Sequence, residues 1–340
     1  MTYAPLCPTP FGTYERVTLA HGGGGRLTQR LIEELFLPAF GGAKEGAHDA
    51  AAIAIDGVPV VTTDAFTVQP LFFPGGDIGS LAVHGTINDL AVGGARPRFL
   101  TASFILEEGL PLGTLRRVVS SMAAAAEASG VRVVAGDTKV VERGSGDGVF
   151  ITVTGIGEEL ADTRPARIGP DDAILVSGPV GDHGTAVMLA REGLELPPGL
   201  VSDAASVWGP VSVLLDEVPV HAMRDVTRGG LGTVVAELVG AAGVGAVLTE
   251  DAIPVRPEVA DACELLGLDP VYVACEGRFV AFVPRPEAEA ALEALRAFDP
   301  AAAIIGRTRA AHPGVLTCRG PLGGERVLDV PSGEQLPRIC

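Results

Sequence analysis

The sequence predicts two domains, an α/β domain followed by an α+β domain, and three observations carry that expectation. The chain has 340 residues, the length of about two domains at ~150 residues each. Segments with strand patterning interleave with segments whose apolar residues recur at helical spacing. Between the halves, residues 163–172 gather Pro165, Gly169 and Pro170, the composition of a linker. The resulting division is a leader with a glycine loop and first helix (1–45), an α/β domain (46–162), the linker (163–172), an α+β domain (173–330) and a tail (331–340).

In the first half, His21-Gly22-Gly23-Gly24-Gly25 opens a helix over 26–37, with Leu27, Leu31, Ile32, Leu35 and Phe36 on one side. Bare glycine amides at a helix N-terminus suit a phosphate-approaching cover, or a plain flexible linker, because the spacing matches no nucleotide-binding fingerprint. Residues 51–55 and 59–63 read as a hairpin about Asp56-Gly57, flanked by Asp49 and Asp64. A carboxylate at a strand end ordinarily caps a turn. Residues 78–93 read as a helix capped by Asp77, on which His84 and Asn88 share a face and Asp89 follows directly. A helix this rich in small residues is expected to be buried, and a buried Asp needs a charged partner or a metal. A strand over 99–106, a helix over 115–129 and a strand over 131–135 come next. That last strand stops at Gly136 and presents Asp137, Thr138 and Lys139. The trio suits a divalent cation, phosphate oxygens and a developing charge, or else an ordinary salt-bridged turn. A strand over 149–157 closes the domain.

In the second half, a strand over 173–177 runs into a glycine turn whose His183 reads as serving folding rather than catalysis. A helix starts near 185, another spans 203–217 despite Pro210, and a third spans 231–242. Asp225 and Arg228 stand at the entrance of that third helix beside Gly229 and Gly230, suited either to nucleotide phosphate or to a domain contact. Strands near 246, 271–275, 279–284, 303–306, 315 and 327 and helices over 257–266 and 286–298 complete the domain. Glu276, between two of these strands, is a surface turn residue or a general base, and the residues alone favour the turn. Beyond Leu328 the chain is punctuated by Pro331, Gly333 and Pro337, so an extended tail is expected to deliver Cys340. That thiol is either a frayed end or a nucleophile carried on a tether.

Composition narrows the partners. There are 42 acidic against 25 basic residues, a formal charge of −17, and no basic run to neutralise a phosphate backbone, so nucleic acid is not an expected partner. Acidic clusters in such a chain point to a divalent cation, through which a polyphosphate can still bind. No basic segment followed by an apolar run opens the chain and no run of 18 apolar residues occurs, which predicts a cytoplasmic protein without membrane contact. Cys7, Cys263, Cys275, Cys318 and Cys340 are widely spaced and include no C-x-x-C pair, so neither a disulfide framework nor a zinc site is expected.

Several motifs agree with one family. They are His21 to Gly25, Asp49-Ala50-Ala51, Leu71-Phe72-Phe73-Pro74-Gly75-Gly76, Gly85-Thr86-Ile87-Asn88-Asp89, Gly136-Asp137-Thr138-Lys139-Val140-Val141, Gly181-Asp182-His183-Gly184, Asp225-Val226-Thr227-Arg228-Gly229-Gly230, Glu276-Gly277 and the terminal Pro337-Arg338-Ile339-Cys340. In these the chain resembles, over nearly its full length, the HypE family of hydrogenase maturation factors. That family lies within the superfamily that includes aminoimidazole ribonucleotide synthetase and selenophosphate synthetase.

The resemblance implies a two-domain PurM-like fold whose N-terminal sheet pairs across a homodimer, with ATP bound by the 46–162 domain near that interface. It implies Mg²⁺ held by Asp49, Asp64, Asp89 and Asp137, and nucleotide contacts from these with Asn88, Thr138, Lys139, Asp225 and Arg228. One departure is His48, which stands where the superfamily often has a second acid beside Asp49. The implied reaction is ATP-dependent dehydration of an S-carbamoyl group on Cys340 to a thiocyanate, a source of cyanide for hydrogenase iron, with Glu276 as base, Lys139 offsetting charge and His84 as orienter. The implied partners are the carbamoyltransferase HypF and the HypC–HypD iron scaffold. A synthetase releasing a diffusible product, and a non-catalytic maturation scaffold, are the alternative expectations.

Overall fold

The structure is a computed structural model, described over residues 14–41, 50–331 and 339. After the glycine stretch, α1 (Arg26–Leu31), a π turn (Ile32–Phe36) and α2 (Leu37–Phe40) form one helical segment that buries Leu27, Leu31, Leu35 and Phe36. β1 (Pro59–Phe66) follows, then a short ribbon of β2 (Phe72–Phe73) and β3 (Gly76–Asp77), α3 (Ile78–Val92), β4 (Ala95–Glu107), α4 (Leu112–Ala128), β5 (Arg132–Val141) and β6 (Val149–Glu159). The first sheet has the order β1-β6-β4-β5, antiparallel except for the β4–β5 pair.

The helix expected from residue 78 is capped as predicted. The Asp77 carboxylate accepts from the amides of Gly79 at 2.7 Å and Ser80 at 3.2 Å, and the Asp77 amide donates to Ser80 Oγ at 3.1 Å. α3 is buried nearly all round because it packs on β1, β4 and β6 on one side and on the second domain on the other.

Two local expectations for this domain fail. Residues 51–55 form no strand; β1 takes β6 as its partner, and the alanine-rich stretch before it has no ladder to join. β5 does not stop at Gly136 but runs on to Val141, because β4 offers a partner as far as Glu107. Asp137, Thr138 and Lys139 are therefore strand residues rather than a turn.

The second domain contains β7 (Ala173–Val176), α5 (Asp182–Arg191), α6 (Trp208–Glu217), β8 (Ala222–Asp225), α7 (Gly230–Ala242), β9 (Gly245–Thr249), α8 (Pro257–Leu266), β10 (Phe279–Val283), α9 (Ala288–Arg296), β11 (Ala303–Arg309), β12 (Leu316–Arg319) and β13 (Glu325–Leu328). Its sheet has the order β13-β12-β9-β11-β7-β10-β8, with β12 parallel to β9. Pro210 falls in the first turn of α6, where a missing N–H costs nothing, so the helix forms around it. The strand expected over 271–275 is instead a tight turn (Pro270–Tyr272). There the Asp269 carboxylate accepts the Val271 amide at 3.1 Å, and the Cys275 amide donates to the Val226 carbonyl at 2.8 Å. Among the described residues, no helix is long and apolar enough to cross a membrane.

α3 and α4 cover one face of the first sheet and leave the other open. Cross-strand register puts Thr63 beside Thr154 and Thr101, Ala65 beside Thr152 and Ser103, and Asp137 and Lys139 beside Ser103 and Ile105, all on that open face. Val61 and Ile105 on it are 62% and 41% exposed.

Candidate active site

A cavity of about 790 Å³ lies where β1 and α3 of the first domain meet β8, the head of α7 and the loop carrying Glu276. Alternation along β1 turns Thr62, Asp64 and Phe66 toward α3, where the Thr62 hydroxyl donates to Asp89 Oδ2 at 2.6 Å. Asp225 is the last residue of β8. Arg228 stands in the turn before α7, where Gly229 and Gly230 have φ of 80° and 66°. A Cβ on Gly229 would stand 2.5 Å from Thr233 Oγ1, so the turn that displays Arg228 at the cavity requires glycine. The chain end closes the list of walls, since Val330, Pro331 and Ile339 also line the cavity.

Glu276 is held by its backbone rather than by its side chain. Its amide donates to Asp203 Oδ1 at 3.1 Å, and its carbonyl accepts from Asn88 Nδ2 at 3.0 Å. Asn88 Nδ2 also donates to the Ala205 carbonyl at 2.9 Å, and its Oδ1 accepts from the Val207 amide at 2.8 Å. The Glu276 carboxyl is left nearly fully buried, and its Oε1 has no hydrogen-bond partner among the described residues.

The carboxylates here push one another's pKa values up. Burial, then the charge of Asp89 and a hydrogen bond with it, raise Asp64 to about 6 against the pull of Arg228. Asp225 is raised to about 7 by burial and by Asp89 and Asp64. Glu276 is raised well above the usual carboxylate range by burial and by Asp225, Asp203, Asp64 and Asp89. Such hard oxygen donors, massed without matching positive charge, suit a divalent cation of the Mg²⁺ type. Among the described residues no group of three His, Cys, Asp or Glu side chains closes around an ion. An ion here would therefore take part of its shell from phosphate oxygens and water.

The structure brings Asp64, Asp89, Asp225, Arg228 and Glu276 together on this cavity. Other expected site residues are elsewhere. Asn88 was expected to meet the nucleotide, but its buried amide is consumed by three backbone groups that tie α3 to the second domain. His84 does not line the cavity; burial lowers its pKa, with the Ala204 backbone and Asp77 acting in the opposite direction. Asp137 and Lys139 pair at 3.0 Å on the exposed edge strand β5, and Thr138 is buried beneath them. Neither they nor Thr138 line this cavity. Asp49, His48 and Cys340 lie outside the described residues.

Asp203, which holds the Glu276 amide, stands out nowhere in the sequence, and His183, read there as serving folding, also meets the chain end. Fully buried at the start of α5, His183 places Nε2 2.7 Å from the Ile339 carbonyl. Its setting in Gly181-Asp182-His183-Gly184, a tight glycine turn opening a helix, was the available signal.

The chain matches the AIR synthase related protein, N-terminal domain, over residues 47–158 and the AIR synthase related protein, C-terminal domain, over residues 169–319. Carbamoyl dehydratase HypE of Rhodobacter capsulatus is 49% identical over 338 residues, covering 96% of this chain and 98% of the relative. A crystal structure of hydrogenase maturation protein HypE in complex with ATP superposes with a TM-score of 0.91 at 47% identity, covering 95% of this chain and 99% of that one. A crystal structure of a HypE–HypF complex superposes with a TM-score of 0.77 at 42% identity, covering 88% and 99%.

Proposed function

We propose, starting from a chain that belongs to the HypE family of carbamoyl dehydratases, that the carboxylate-lined cavity is where ATP drives dehydration of a carbamoyl group carried on Cys340. The observation that supports this most directly is Ile339. It is 5% exposed, packs into the first domain's core and lines the same cavity as Asp64, Asp89, Asp225 and Glu276. The residue covalently attached to it, Cys340, is then the thiol to be presented there.

HypF loads the thiol with a carboxamide. The carboxamide oxygen attacks the γ-phosphorus of ATP, ADP leaves and one N–H proton is lost. The second N–H proton is lost as the C–O bond breaks and phosphate carries the oxygen away, leaving S–C≡N. HypC–HypD takes the cyanide for hydrogenase iron with two electrons from a thiol-type reductant, which returns Cys340 as a thiolate, and the whole sequence runs in the cytoplasm. Asp64, Asp89 and Asp225, with Asp49, would hold Mg²⁺, which would supply positive charge to the phosphoryl oxygens. Arg228 is a further cation at the phosphate side of the cavity. Glu276 Oε1, without a hydrogen-bond partner among the described residues, accepts the amide proton.

Lys139 and Asp137 enter through a homodimer. They share the open face of the first sheet with Thr63, the neighbour of Asp64, so a second copy packed on that face brings its own Lys139 to the cleft region. Thr154→Arg, at the middle of the open face, is expected to convert the dimer to a monomer in sedimentation velocity; an unchanged dimer would remove this surface from the assembly.

Intact-mass spectrometry tests the reaction. With HypF, carbamoyl phosphate and ATP, the terminal peptide should gain about 43 Da and then lose about 18 Da, the signature of nucleophilic capture followed by loss of water. No mass change on Cys340 would refute it, and a Cys340→Ala protein that still turned over a small substrate would point to a diffusible product. Asp89→Asn is expected to retain the fold and lose about 10²-fold or more in ATP-dependent dehydration, on the scale of removing one charged group at a transferring phosphoryl. Unimpaired dehydration would take Asp89 out of the metal site.

A further inference from the structure

Two side chains bond the described residues of the C-terminal stretch. At its start, the Tyr272 hydroxyl donates to the Asp329 carbonyl at 3.0 Å. At its finish, His183 meets the carbonyl of Ile339. The ring of His183 is itself fixed, with the Phe73 ring edge-on to it at 5.5 Å between centroids and its Nδ1 2.7 Å from Ser202 Oγ.

The Ile339 carbonyl can only accept, so it decides which ring nitrogen of a neutral His183 carries the proton. Ser202 Oγ accepts the Ala204 amide at 3.1 Å and gives its own hydroxyl hydrogen to His183 Nδ1. The ring proton then sits on Nε2 and is donated to the Ile339 carbonyl. Burial keeps the ring neutral, as this relay requires. Ser202 is anchored in turn, its amide donating to the Pro74 carbonyl at 2.8 Å across the domain boundary. With the tail withdrawn, the Nε2 hydrogen would be a buried donor without a partner among the described residues, which favours the docked tail.

We propose that His183 is a positioning residue for the dehydration, a latch that holds the C-terminal tail in the cavity by donating its Nε2 hydrogen to the Ile339 carbonyl. This rests on the tail-borne chemistry given under Proposed function. The latch keeps Cys340 at the carboxylate cluster for reaction with ATP and opens when the thiol is loaded or unloaded by partners.

The experiment uses the full-length protein and two readouts. The first is alkylation of Cys340 by iodoacetamide, followed on the terminal peptide, with the buried thiols Cys263, Cys275 and Cys318 as internal reporters of unfolding. The second is single-turnover dehydration of protein already carbamoylated by HypF. His183→Ala is expected to speed Cys340 alkylation and slow dehydration by about tenfold each, the equilibrium effect of one lost hydrogen bond. The buried thiols should stay unlabelled, carbamoyl loading should not slow, and His183→Gln, whose amide can donate to the same carbonyl, should recover much of both effects.

Unchanged Cys340 alkylation in a folded His183→Ala protein overturns the latch. If His183→Ala exposes the buried thiols, Ser202→Ala decides. It removes the hydroxyl that holds the ring in place through Nδ1, and faster Cys340 labelling supports the latch while an unchanged rate overturns it. The alkylation readout needs no carbamoyl chemistry. Failure of the dehydratase reading, seen as no gain in mass on Cys340, is thus separable from failure of the latch.

Discussion

Glu276→Gln is expected to stall the protein at the carbamoylated stage. HypF still loads Cys340 and the terminal peptide still gains its mass, but the loss of water slows by about 10²–10⁴-fold, the usual contribution of a positioned general base. The substitution keeps size and shape and leaves intact the backbone bonds to Asp203 and Asn88 that display the residue. It removes only the capacity of Oε1, unpartnered among the described residues, to take a proton. Burial and four neighbouring carboxylates raise the pKa of Glu276 well above the usual carboxylate range. Positive charge brought into the cluster would lower it again and favour the base form. Dehydration rates within about threefold of wild type would exclude the role, being smaller than any general-base effect.

Asp225→Asn should stabilise the ligand-free protein at pH 8 while abolishing ATP-dependent dehydration. The folded-state pKa of Asp225 is raised from 3.8 to about 7. A raised carboxyl pKa contributes stability that is fully present below the unfolded pKa and is lost as pH rises through the folded one. Between pH 4 and pH 8 the wild-type protein thus loses up to about 4 kcal/mol through this group, at about 1.36 kcal/mol for each pKa unit. Asparagine carries no charge to desolvate, so the variant escapes that loss. Melting curves of the ligand-free proteins should coincide near pH 4.5 and separate by several degrees at pH 8, with Asp225→Asn the higher. A variant melting below wild type at pH 8 would show that Asp225 is a structural partner rather than a strained site residue. Asp64, raised to about 6, has the same sign and a window about one unit lower.

Both predictions turn on a feature of functional sites. Charge is massed where the fold alone would not tolerate it, and ligand binding relieves the repulsion. The opposite arrangement is visible in the second domain. There Glu325, bonded to Arg319, Thr317 and Arg309, is lowered to about 2 and stabilises the sheet edge at neutral pH.

Much of this was legible in the amino-acid order. The cap at Asp77, the helices over α3, α4, α7 and α8 and most strands follow from local spacing and capping chemistry, which act within a few residues. So did the candidacy of Asp64, Asp89, Asp225 and Arg228, since acids and cations at strand ends and helix entrances are readable one by one.

What the order of residues could not decide was which of these meet. Glu276 reads as a turn residue from its neighbours and becomes a buried acid only because Asn88, far away in sequence, bonds its carbonyl. Lys139 and Asp137 read like turn residues and stand instead on a strand of the open sheet face, because β4 is long enough to carry β5 past them. His183 reads as part of a folding turn and acquires the tail as its partner only when the chain end returns to α5. In each case the deciding term is burial or a hydrogen bond between segments remote in sequence, and such terms exist only once the two domains have packed.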